Sequence, residues 1–359
     1  MKKTKMLAAL TAMVLGLVFV SCPNTNNGVS PSPANPENPN PENNGSTSGW
    51  TRDSSGIKVN NELLQYTAEV NVIESVASVT RDGSSGAFRT GDELASPVTI
   101  SPYAIGKYEV TQELYSKVME NQTVTVDGNT RNLVQNPSLC KEGSTNYALP
   151  LTTLGETQKY RPVDNVTWYD AVYFCNVLSE KLGLDKAYSI ENIEIGTETN
   201  DLNHIVNATV SVIPDKKGYR IPTDEEWEFA ARGGDTTSSS WNDPYSGSDN
   251  INDVGWYQGN NDGTTVPPDP STATDLTSDP DKCGSHQVGL KNPNSKGTYD
   301  MTGNVWEWCF GEASTDGGRP DSGGSWAMSA VNSIVANHST GMSGHAKNAS
   351  TGIRLVRSL

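Results

Sequence analysis

Few residues in this 359-residue sequence are of a type that performs nucleophilic, redox or metal chemistry, and their spacing narrows the choice further. There are five cysteines: Cys22, Cys140, Cys175, Cys283 and Cys309. No two of them form a C-x-x-C pair. The patterns of a zinc site and of a dithiol redox centre are therefore both missing. Cys175 falls in a helical pattern and Cys309 lies beside Trp306 and Trp308, so buried thiols and disulfides both stay open for the four beyond Cys22. His338 and His345 are seven residues apart with no carboxylate nearby in sequence, which leaves them without the orienting partner expected of an acid–base pair.

Those two histidines sit in an unusual stretch. Gly323–Thr351 reads GGSWAMSAVNSIVANHSTGMSGHAKNAST, and the chain then closes with GIRLVRSL. The 25 residues after Trp326 hold one lasting charge, Lys347, with no Phe, Tyr or Trp and no cysteine. Neither helix nor strand periodicity is visible, and side chains this small do not interdigitate in only one way, so the run does not read as core.

The elements that must hold such a stretch are legible upstream. Thr111 precedes QELYSKVME, a short helix with acid in its first turn. Thr167 caps WYDAVYFCNVLSEKLG, where Trp168, Val172, Cys175, Leu178 and Leu182 recur at helical spacing and Gly183 ends the run. Thr223 with Glu226 forms a capping box that opens DEEWEFAARGG. Short strands are expected at Val98–Ile100, Tyr103–Tyr108 and Thr209–Ile213, and residues 235–299 read as mostly irregular.

Composition bounds the partners and the compartment. A net charge of −16 disfavours nucleic acid and anionic membrane surfaces, because counterion release needs clustered Lys and Arg. Lys2, Lys3 and Lys5 precede an apolar run from Met6 to Val20, too short to span a bilayer and suited to a signal peptide. Ser21-Cys22 ends that run in a way that resembles the lipobox of bacterial lipoproteins, with Phe19 where Leu is usual. The expectation is a signal peptide over 1–21, acylation at Cys22, and a Pro/Asn-rich tether over 22–54 that cannot bury a core. One domain should fill 55–359.

Five motifs occur in order: YAIGKYEVTQELY (103–115), RPVDNVTWYDAVYFCNVLS (161–179), YRIPTDEEWEFAARGG (219–234), YDMTGNVWEWC (299–309) and GGSW…GIRLVR (323–357). Together they resemble the formylglycine-generating enzyme, or sulfatase-modifying factor, family. That resemblance implies an α+β chain with a C-type-lectin-like fold, rich in irregular loops, its N- and C-terminal strands close together. In YDMTGNVWEWC, Gly303 permits a tight turn and Trp306 and Trp308 have large rings to bury. The resemblance makes this segment a structural calcium loop, with Asp300 and Glu307 as side-chain ligands beside the backbone of Thr302, Gly303 and Val305; hard oxygens suit that ion. The alternative reading has the two carboxylates capping turns or pairing with arginine. The family's other calcium position would fall near DVGWYQGNNDG (253–263), which departs too far to carry ligands over.

In the enzymes, the aromatic of GGSW is followed two and seven residues later by a cysteine pair that binds copper and does the chemistry. Here those positions are Met328 and Ser333. Neither a thioether nor an ordinary hydroxyl replaces a copper-binding thiolate, so neither copper nor formylglycine generation is expected. What fills 327–351 resembles instead the variable region of receptor proteins of diversity-generating retroelements, where adenine randomisation scatters Asn codons into a restricted residue set. All 25 residues except Met328, Met342 and Lys347 belong to that set, and His338 and His345 then read as two of its outcomes.

The resulting expectation is a non-enzymatic, exported, lipid-anchored binding protein, monomeric, displayed at the outer surface of the cell envelope. Its partner would be a protein or glycan on another cell, met through Ala327, Met328, Ser329, Val331, Asn332, Val335, His338, Ser339, Thr340, Met342, His345, Asn348 and Ser350. Trp326 and Arg354 would fix that patch to the scaffold. The alternatives are an oxygen-dependent modifying enzyme using another centre, and a structural envelope lipoprotein.

Overall fold

The computed structural model describes residues 67–73, 77–79, 98–142, 144, 155–261, 283–311 and 318–359. The expected signal peptide, Cys22 and the expected tether lie outside the described residues.

The three expected helices form, and their starts show why. Thr111 accepts from Leu114 N–H and opens α1 (Gln112–Met119). Thr167 caps α2 (Trp168–Lys181) in a reciprocal box with Asp170, and Thr223 does the same with Glu226 at α3 (Asp224–Ala231). Each box satisfies two amide donors that a helix start leaves without partners. Gly183 follows α2 with φ +69, as a helix stop requires. A fourth, one-turn helix, α4, spans Ile251–Val254.

Two four-stranded sheets carry the architecture. The first has β1 (Glu69–Ile73), β4 (Tyr103–Gly106), β14 (Val356–Ser358) and β9 (Tyr219–Arg220) in that spatial order, all antiparallel. The strands nearest the two chain ends thus flank β4, as the resemblance implied. The second has β12 (His338–Ser343), β11 (Gly318–Ser322), β10 (Trp306–Trp308) and β13 (Thr351–Gly352), with β10 and β13 parallel. Among the described residues there are also three two-stranded ribbons: β2 (Ala77–Val79) with β3 (Val98–Ile100), β5 (Thr123–Val126) with β6 (Asn129–Asn132), and β7 (Tyr188–Ile195) with β8 (Ile205–Val212).

The sequence expectations need three adjustments. The strand expected over Tyr103–Tyr108 ends at Gly106, and the one expected at Thr209–Ile213 is the tail of the longer β8. The featureless stretch contains a strand after all, β12, and one 3-10 turn over Ala330–Ser333. β12 reads HSTGMS, with no alternating apolar pattern to betray it, and pairs with β11 through a register shift.

Two large apolar clusters fill the interior. One gathers α1 and α2 side chains around Trp168, Phe174 and Trp308; the other packs Trp227 and Phe229 of α3 against β4, Met301 and Cys309. Two indoles sunk into the first cluster keep their N–H groups bonded. Trp168 donates to the Cys309 carbonyl at 2.9 Å, and Trp308 donates to that of Val166 at 3.0 Å. A buried indole that finds an acceptor keeps the full benefit of its ring burial.

Candidate functional site

The stretch after Trp326 is tied down chiefly through its main chain. Trp326 N–H donates to the Asn304 carbonyl (2.8 Å), and Asn261 Nδ2 donates to the Trp326 carbonyl (2.7 Å). The Met328 carbonyl accepts from Gln258 N–H, and Val335 N–H donates to Pro244. Further along, the carbonyls of Gly344, Asn348 and Ser350 accept from the amides of Trp168, Asn165 and Trp306 at 3.0, 2.8 and 2.7 Å. The two ends converge, since Trp326 Nε1 donates to the Ala349 carbonyl at 2.9 Å. Gly324, with φ +75, makes the crossing possible, because a Cβ there would fall 2.4 Å from Ser333 Oγ. One ionic clip, Lys347 to Asp201, adds to these bonds.

Most of the expected contact residues lie along the open side. Val331 (69% exposed), Asn332, His345 and Asn348 are exposed, and Ala327, Met328, Ser329, Ser339, Met342 and Ser350 are partly so. The side chains of His338 and Thr340 lie outside the described set. Val335 corrects the expectation: it is 3% exposed and packs in the cluster of Trp227, Met301 and Cys309. It follows a 3-10 turn whose main chain steers it inward, a direction that no periodicity in sequence could reveal. Met342 is a half case, partly buried against the Trp168 cluster.

Beneath the segment lies a buried polar knot. Arg354, fully buried, donates Nε to both oxygens of Glu307 (3.0 and 2.9 Å) and Nη2 to Oε1 (2.7 Å). It also reaches the carbonyls of Gly106 and Tyr299. Trp227 Nε1 donates to Glu307 Oε2 at 2.6 Å. Burial opposes the charge on Arg354, but Glu307 outweighs it and holds the guanidinium above its ordinary pKa. Glu109, whose role the sequence reading missed, accepts from Asn304 Nδ2 (2.6 Å) and Val305 N–H (3.2 Å) and so shapes the turn of GNVWEW. Burial pushes its carboxyl well up, and Asp300 and Glu307 add to that. At the tip of this turn Gly303 has φ +77, and a Cβ would lie 2.0 Å from the Trp256 carbonyl oxygen. The motif YEVTQELY carried Glu109 in plain view, yet nothing in its spacing pointed to a loop almost two hundred residues away.

Of the two side chains expected to bind calcium, Glu307 does not fit. Glu307 has both oxygens committed to Arg354 and Trp227, which is the arginine-pairing alternative. Asp300 accepts from Gly289 N–H through Oδ2, and its buried Oδ1 has no hydrogen-bond partner. No group of three or more His, Cys, Asp or Glu among the described residues is placed to hold a metal ion. The copper positions fit no better. Ser333 is buried with its Oγ donated to the Ser329 carbonyl, and Met328 offers only a thioether. Cys140, Cys175, Cys283 and Cys309 are all buried thiols.

Comparison with known proteins gives this geometry its relatives. Residues 69–359 match the sulfatase-modifying factor enzyme 1-like domain. The chain belongs to that family. It is similar to the chaperone protein LppX of Paenibacillus barcinonensis, with 32% identity over 283 residues that cover 76% of this chain and 87% of the relative. Among solved structures it resembles Treponema denticola variable protein 1, with 29% identity, a TM-score of 0.53, and coverage of 81% of this chain and 99% of that one. It also resembles the inactive C-alpha-formylglycine-generating enzyme 2 of Bos taurus, at 35% identity over 128 residues, 34% of this chain and 36% of the relative. The family thus includes inactive members as well as enzymes, and its fold is the C-type-lectin-like arrangement described above.

Proposed function

We propose that this chain is an envelope-displayed binding protein in which residues 327–351 form a variable ligand-contacting surface on a fixed scaffold, without catalysis. The observation that carries the reading is the way the segment is held. Its anchors are chiefly main-chain groups and the flanking Trp326, so most of its side chains can change without loss of an anchor. The likeness to a variable protein of Treponema denticola supports the same reading. Met328 and Ser333 at the positions of the enzymes' cysteine pair argue against formylglycine chemistry. A protein ligand suits a surface without a Phe, Tyr or Trp ring to stack on a sugar. The test is at the DNA level: a second copy of the segment's coding sequence should lie beside the gene and differ from it mainly at adenines. Its absence from the locus would remove the variable-surface reading and favour a structural or modifying role.

The anchoring half of the reading rests on the basic start, the apolar run to Val20 and Ser21-Cys22. Palmitate fed to expressing cells should label the wild-type chain and not Cys22→Ala. Equal labelling of the two would end the lipoprotein reading.

A further inference from the structure

The four described cysteines are buried alike, but they are not distributed alike. Cys175 sits within α2 in the cluster around Trp168, and Cys309 sits in the cluster around Trp227. Cys140 and Cys283 share a third, much smaller cluster with Val305, Trp326 and Ala349. Ser285, two residues beyond Cys283 in a stretch with neither helix nor turn, is close enough to act on the Cys140 thiol. The Cys140 side chain therefore packs close to the stretch that carries Cys283, within one five-residue cluster.

The place matters as much as the pairing. The Cys140 thiol donates to the Ala349 carbonyl at 3.2 Å, the acceptor that also takes Trp326 Nε1. That carbonyl is where the two ends of the variable segment meet. A covalent link here would fix the floor of the display surface independently of any side chain the segment carries.

We propose that Cys140 and Cys283 are the partners of a single structural disulfide, closed as the chain folds in an oxidising compartment, that staples this floor. The compartment rests on the exported reading above; the pairing does not. Closure joins the two sulfurs and removes two protons and two electrons, which reduce an external disulfide such as oxidised glutathione to two thiols. The Cys140 thiol then no longer donates to Ala349, whose carbonyl keeps the indole. Burial pushes the Cys140 thiol upward and disfavours the thiolate that attacks a disulfide, so exchange belongs to folding and not to the folded chain. A link between residues this far apart in sequence constrains the unfolded chain strongly.

The experiment refolds the reduced full chain in a glutathione redox buffer, traps free thiols by alkylation, and maps non-reduced peptides by mass spectrometry. One linked peptide pair holding Cys140 and Cys283 is expected, with Cys175 and Cys309 alkylated after denaturation. The oxidised chain should melt several degrees above the reduced one. Cys140→Ala and Cys283→Ala should each abolish the link, while Cys175→Ala should keep it. Alkylation of Cys140 and Cys283 after oxidative refolding, or a link that pairs either of them with Cys22, Cys175 or Cys309, would overturn the pairing, and wild-type mapping alone decides this if a variant fails to fold. The same mapping on chain alkylated inside cells tests the compartment: a link made in vitro and absent there overturns the oxidising-compartment half of the proposal and leaves the pairing standing.

Discussion

Replacing Arg354 by leucine should destabilise the fold by about 3–5 kcal/mol, the cost of stripping one partner from a buried ion pair. The substitution removes the guanidinium from Glu307, leaving it the Trp227 indole, and takes a donor from the carbonyls of Gly106 and Tyr299. Domains of this kind are stable by only about 5–15 kcal/mol, so much of the margin disappears. Arg354→Lys should recover little, because an ammonium cannot reproduce a forked set of bonds to a carboxylate and two carbonyls. Combining Arg354→Leu with Glu307→Leu should restore part of the loss, since no unpaired charge is then left inside. Urea denaturation of the three variants measures all of this. A loss under about 1 kcal/mol for Arg354→Leu would mean that the knot is not what joins β14 to the second sheet.

The effect is large because of where the knot sits in the topology. Arg354 lies between β13, in the second sheet, and β14, in the first, and Glu307 is in β10. The ion pair thus joins the two sheets at the point where the chain crosses from one to the other. The segment 327–351 hangs from the same strands, so the knot also supports the surface.

Much of this was legible in the sequence because it is local. A capping threonine, an i, i+3 acid and a stopping glycine are read within one turn of helix, and all three helices formed where those signals placed them. The motifs gave the family and, with it, the fold. What sequence could not supply was pairing at a distance. Glu109 with Asn304, Lys347 with Asp201, and Cys140 beside Ser285 each join residues whose nearness is a property of the closed fold. The same gap explains Glu307: as a string, WEW looks free to ligate a cation, and only the folded chain brings Arg354 and Trp227 onto its carboxylate. Val335 shows the opposite error, a residue that composition grouped with a surface and that main-chain direction turned into the core.

That error sharpens the test of the display surface. If the segment is held by its main chain, changing Met328 and Val331 together to serine should move stability by no more than about 0.5 kcal/mol, as exposed substitutions do. Val331 projects into solvent, and the anchor at Met328 is its carbonyl, which serine retains. Val335→Ser should behave as a core change and cost about 2 kcal/mol or more, because it leaves a space beside Trp227 and buries a hydroxyl. Trp326→Ala should cost most, roughly 3–5 kcal/mol, since it empties the cluster shared with Cys140 and Cys283 and removes the donor to Ala349. Thermal and urea melts of the three variants give the ranking. The contrast within one short segment is the informative quantity: two neighbours tolerant, one intolerant, and the flanking indole indispensable. A Met328/Val331 double variant that unfolds as readily as Trp326→Ala would show that these side chains hold the scaffold together. A surface that must stay constant to keep the protein folded cannot be one that varies to meet ligands.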